Sequence, residues 1–173
     1  MQTTSIRSGS LRTIQYVPAL FIFIVLLAGG CAGSKESAST PTRSPIGDWV
    51  VVGHVIPGVS AVSDSEAAAW HGTKIHYEIG EATSGTKSCP NAVYSYHTAR
   101  ADSLLVIGYR VDPRALGYTG SAKSRIGLTK VLCSGAPWKS MGGFVVWMDE
   151  NRLYSIWDGA FFELHRESKT GAP

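Results

Sequence analysis

The sequence lacks the local signatures of most catalytic and metal-binding classes. It contains no Cys-x-x-Cys, no His-x-His and no histidines spaced four apart, so zinc-ribbon and helical metalloprotease chemistry have no foothold. Gly58-Val59-Ser60-Ala61-Val62 fails at its last position as a nucleophile elbow. Between Gly80 and Ser88, Thr86 separates Gly85 from Lys87, and Cys89-Pro90 follows where a phosphate loop must open a helix. That stretch is expected to be a hairpin turn. Charged residues make up only 17% of the 173, below the usual quarter, which excludes an acidic disordered chain and a coiled coil. No apolar run approaches the roughly 20 residues of a transmembrane helix. No internal repeat is present. What remains is the composition of one modest, turn-rich globular domain.

The N-terminus has a different character. Met1 to Gln15 carries Arg7 and Arg12 and no acid, and the apolar run Val17 to Ala28 follows it, as in a signal peptide. Leu27-Ala28-Gly29-Gly30-Cys31 resembles the lipobox of bacterial lipoproteins. The resemblance implies cleavage after residue 30, lipidation of Cys31, and a membrane attached through that lipid. With Ala32 after the cysteine, it further implies the outer membrane of a Gram-negative cell, facing the periplasm. The polar, Pro-punctuated stretch 31–45 is expected to be a tether, 46–167 the folded domain and 168–173 a tail. Without Arg7 and Arg12 the 16 basic residues fall to 14 against 13 acids, a net charge of +1. A nucleic-acid partner thereby loses its electrostatic support.

With Cys31 acylated, Cys89 and Cys133 remain as an even pair in an exported domain. A disulfide is the economical reading; two free thiols or half a metal site is the alternative. The bridge would contribute about 4 kcal/mol by restricting the unfolded chain.

The domain is predicted to be mainly β. Gly47 to Ile56 is β-branched and bounded by Pro45 and Pro57-Gly58, and reads as the first strand. Ser63 and Glu66 form a capping box for one short helix ending at Gly72, with Trp70 expected to dock it on the sheet. Lys74 to Ile79 alternates, placing Ile75, Tyr77 and Ile79 on one face. Ala92 to His97, Leu104 to Arg110 and Gly127 to Leu132 are further candidate strands. Phe144 to Met148, Leu153 to Trp157 and Ala160 to Arg166 read as three strands joined by tight turns at 149–151 and 158–159. Short, closely spaced strands with little helix point to a small antiparallel barrel or sandwich.

Gly47-x-Trp49 at the first strand and Arg166 at the end of the last resemble the pairing that closes one end of lipocalin-like (calycin) barrels, where the arginine packs over the tryptophan. Gly47, Trp49 and Arg166 are thus implied to be structural, in a small antiparallel lipocalin-like barrel. The Asp-Gly-x-Phe-Phe-x-Leu-x-Arg finish, Asp158 to Arg166, is similar to that of uncharacterised small bacterial lipoproteins.

The aromatic residues carry two readings. They can form the core, or one set can line a lumen, in which case Tyr77, Trp147 and Trp157 are the candidate ligand-binding residues. Trp157 and Phe161 can instead sit outside as an anchor for another protein. The five histidines and the acids are dispersed, so no metal, cofactor or catalytic residue is expected. The functional expectation is a non-enzymatic envelope lipoprotein binding a small apolar ligand or an envelope component. The alternative is an inhibitor or immunity factor of a secreted hydrolase such as a lysozyme, acting through the basic loop Arg114 to Arg125.

Overall fold

The computed structural model describes residues 43–168. The expected signal peptide, Cys31 and most of the tether lie outside the described residues, as do residues 169–173. Strands β1 (Gly47–Val55), β2 (Lys74–Glu78), β3 (Gly80–Ser84), β4 (Lys87–Arg100), β5 (Arg125–Cys133), β6 (Ala136–Pro137), β7 (Phe144–Trp147), β8 (Arg152–Trp157) and β9 (Ala160–Arg166) form one antiparallel sheet. Pairing of β4 with β5 closes the sheet into a ring, in which every strand but β6 takes part. The mainly β barrel is therefore as the sequence predicts, and closure leaves the ring no free edge. Helix α1 (Asp64–Ala68) follows the first strand, and Ser63 and Glu66 cap it reciprocally. Cys89 and Cys133 are joined by a disulfide, beside the point where Ala92 of β4 pairs with Cys133 of β5.

Alternation along β7, β8 and β9 divides their side chains between two cores. Val145, Trp147, Leu153, Phe162 and Leu164 point into the barrel with Trp49, Ile75 and Tyr77. Val146, Tyr154, Ile156 and Phe161 point outward, yet are equally buried. The connection between β4 and β5 covers them. It runs through a π-helical segment, Asp102–Gly108, and a 3-10 turn, Pro113–Leu116, which set Leu105 and Leu116 against the outer wall. Strands buried on both faces read as continuous apolar runs, which explains Phe161-Phe162 and the unbroken Phe144-Val145-Val146-Trp147.

The strand expected over Leu104 to Arg110 is thus replaced by helical backbone. Leu104, Leu105 and Tyr109 serve the outer core from one side of a helical turn rather than one face of a sheet, while Val106 and Ile107 are exposed. Ile79 likewise does not share the buried face of Ile75 and Tyr77. β2 ends at Glu78, and Ile79 sits at the turn, 92% exposed. In β1 a bulge between Val51 and Gly53 shifts the register against β9. The alternation flips there, so His54 lies opposite Phe162 while Val55 joins the outer core.

Candidate functional site

The barrel interior is occupied by the chain itself. Between β6 and β7, residues Ser140, Met141, Gly142 and Gly143 are all buried. Gly142 accepts a hydrogen bond from the Tyr77 hydroxyl at 2.8 Å and donates its N–H to Ser155 Oγ at 2.7 Å. Tyr77 is on β2 and Ser155 on β8, two strands that are not neighbours in the ring, so this segment crosses the lumen between them. Its glycines are sterically required. A Cβ on Gly142, whose φ is +88°, would lie 2.7 Å from Tyr77 Oη, and one on Gly143 would lie 2.0 Å from the Trp138 carbonyl oxygen. The Met141-Gly142-Gly143 run is the sequence signal for this plug, and it is visible only once the ring is known.

The three aromatic residues expected to line a lumen are therefore not brought together as a pocket. Tyr77 and Trp147 are buried members of the packed interior. Burial pushes the Tyr77 phenol far above its usual range, so it stays a neutral donor to the plug. Trp147 meets Trp49 edge to face at 6.3 Å and donates its indole N–H to Thr129 Oγ1 at 2.9 Å. Trp157 stands apart from both. It is half-buried at the mouth where the plug enters, and with Lys130, Pro137, Trp138, Phe144 and Ile156 it lines an apolar depression of about 340 Å³. At that mouth Ala67 of α1 is buried and Trp70 meets Phe162 edge to face, so the helix caps the barrel beside the groove.

The opposite end is closed by an arginine. Arg166 lies over the Trp49 ring at 4.2 Å and donates to the carbonyls of Ile46 and Glu150. The Trp49 indole N–H reaches back to the Pro45 carbonyl at 2.7 Å. Gly47 has to be glycine here, because its φ is +131° and a Cβ would approach Arg166 Nη1 to 2.5 Å. A half-buried guanidinium on an indole face contributes about 1 kcal/mol.

The histidines form local pairs. His54 contacts His71 at 2.9 Å and Asp64 at 3.0 Å, a hydrogen-bonded chain beside the α1 N-terminus. His76 lies between Asp48 and Glu78, and the Asp48 carboxylate holds the imidazole above its ordinary pKa. Among the described residues no group of three or more His, Cys, Asp or Glu is arranged to hold a metal ion.

The loop Arg114 to Arg125 is fastened at both ends. Leu116 is fully buried, and Arg125 donates to the hydroxyl and carbonyl of Thr98 at 2.7 Å each. Arg114, Ala115, Gly117 and the run from Thr119 to Arg125 are exposed, and Tyr118 is half-buried. A comparison with family models, curated proteins and solved structures finds no match to the chain.

Proposed function

We propose that this chain is a lipoprotein of the bacterial cell envelope, anchored through diacylated Cys31 to the outer membrane and facing the periplasm, whose barrel is a non-enzymatic binding module. Its ligand is a small apolar molecule or the apolar part of an envelope component, and it binds at the mouth rather than in the lumen. The observation that carries this reading is the groove itself. The half-buried Trp157 and Phe144 present aromatic surface at a barrel end over the largely buried Trp138 and Ile156, while the lumen behind them is taken by Met141 and Gly142. Burying an alkyl chain against such surface gains roughly 0.8 kcal/mol per methylene. The oxidised Cys89–Cys133 pair supports an exported location.

Titrating the full chain with dodecanol while following tryptophan fluorescence tests the site. Saturable quenching that weakens about tenfold or more in Trp157→Ala and Trp138→Ala is expected. Binding unaffected by both substitutions, or none at all, would remove the groove from consideration. The anchor is tested by mass spectrometry of the N-terminal peptide, where an acylated Cys31 should be found and should vanish in Cys31→Ser.

A further inference from the structure

At the barrel end away from the apolar groove, Arg43, Tyr96, Thr98, Tyr118, Arg125 and Trp147 line a second, polar depression of about 190 Å³. These residues come from the segment before β1, from β4, from the β4–β5 connection, from β5 and from β7, so the depression exists only in the closed ring. We propose that it is an anion site for a phosphate group, independent of the apolar groove.

The donors converge from several directions. The Arg43 guanidinium lies over the Trp147 ring at 5.6 Å, a cation–π contact that places it at the wall of the depression. Arg125 spends Nε and Nη2 on Thr98, which fixes the side chain and leaves Nη1 to project. The tyrosine rings are seated by glycines. A Cβ on Gly127 would lie 2.7 Å from Tyr96 Oη, and one on Gly120 would lie 2.4 Å from Tyr118 Oη. No acid lines the depression. Among the described residues neither guanidinium meets a carboxylate, whereas Arg100 pairs with Asp102, and Arg152 with Asp149 and Glu163.

Two cations held by a tryptophan face and a threonine, with hydroxyls beside them, are more donors than a planar carboxylate can use. A phosphate presents acceptor oxygens tetrahedrally and takes charge-assisted hydrogen bonds from each side. The volume suits one such group, and the Trp147 and Tyr96 rings offer a wall to whatever carries it.

Calorimetric titration of the full chain with inorganic phosphate tests the site, with Arg43→Gln, Arg125→Gln and Tyr118→Phe compared against Lys87→Gln, an exposed lysine in the β3–β4 hairpin. Saturable binding is expected, about tenfold weaker in either arginine variant, slightly weaker in Tyr118→Phe and unchanged in Lys87→Gln. Arg43 lies ahead of the first strand and Tyr118→Phe keeps its ring, so these two variants remain informative if Arg125→Gln loosens the connection. A vesicle arm, with Cys31→Ser so that no acyl chain contributes, separates the sources. Arginine-dependent sedimentation with phosphatidylglycerol but not phosphatidylcholine vesicles, competed by phosphate, marks a lipid headgroup. Phosphate binding without sedimentation marks a soluble ligand. Absence of phosphate binding in the folded wild-type chain, or binding that both arginine variants retain, overturns the proposal.

Discussion

The inner and outer surfaces of the same barrel wall are buried by different means. Inside, β2, β5 and β8 present Tyr77, Thr129 and Ser155, and each polar atom is spent on a partner: the Gly142 carbonyl, the Trp147 indole and the Gly142 amide. Outside, Ile126, Val146, Ile156 and Phe161 meet Leu105, Val111 and Leu116 of the connection, and the joint is apolar apart from tyrosine edges. Hydrogen bonds to a backbone fix one arrangement of the plug, since displacing it leaves buried polar groups unpaired. Apolar burial holds the outer cover without dictating its register so sharply. The interior should therefore behave as part of the global fold, and the outer cover as a unit that opens locally at lower cost.

Four measurements probe that contrast. Gly143→Ala is expected to have the largest effect, a loss of at least about 4 kcal/mol in urea unfolding, because its Cβ collides with backbone rather than a movable side chain. A stability near that of the wild type would mean the segment does not fill the lumen. Leu116→Ala removes a fully buried side chain from the outer joint and should cost about 3 kcal/mol. Limited proteolysis between Arg110 and Arg125 should accelerate, while near-ultraviolet circular dichroism from Trp49 and Trp147 stays intact. Simultaneous loss of both signals would erase the distinction between the two cores. Tyr77→Phe strands the Gly142 carbonyl and should cost about 1.5 kcal/mol with no gain in protease sensitivity of the connection.

The smallest effect concerns His76 at the rim. The Asp48 carboxylate, helped by Glu78, raises its folded pKa. The protonated imidazole is therefore the form that folding favours. Its contribution is fully present below the unfolded value of about 6.5 and fades as pH rises through the folded one. His76→Gln should lower the urea midpoint more at pH 5.5 than at pH 8.5, by little, because both side chains are well solvated. A larger loss at pH 8.5 than at pH 5.5 would contradict the assigned direction.

Much of the architecture was legible in the residues. The C-terminal hairpins announce themselves through Asp149-Glu150-Asn151 and Asp158-Gly159, and the Ser63/Glu66 box marks the one α-helix among the described residues. The disulfide is the outcome expected from the even pair Cys89 and Cys133 if the domain is exported. Leu104 to Arg110 misled because a stretch buried on one side of a helical turn has the same apolar content as a strand, and the wall that selects between them is assembled from β5, β7, β8 and β9, distant in sequence. For the same reason Tyr77 and Trp147 could be read as lumen residues. Alternation reports which face they share, while the plug that fills the space in front of them comes from a segment with no periodicity. The polar depression was foreshadowed only in part, by the basic loop ending at Arg125. Its partner Arg43 lies in the stretch read as tether, and no local pattern links the two.

Arg166 joins the last strand to the carbonyl of Ile46, and the Glu167 amide bonds the carbonyl of Asp48. The beginning and end of the barrel are thus stitched side by side. A short linker from Glu167 to Ile46, with the chain reopened at the exposed turn Ser134-Gly135, should yield a circular permutant that folds to the same ring. In such a molecule the plug would lie near the new amino terminus, so that ring closure and lumen filling, which the natural order makes nearly concurrent, would be separated in time during synthesis.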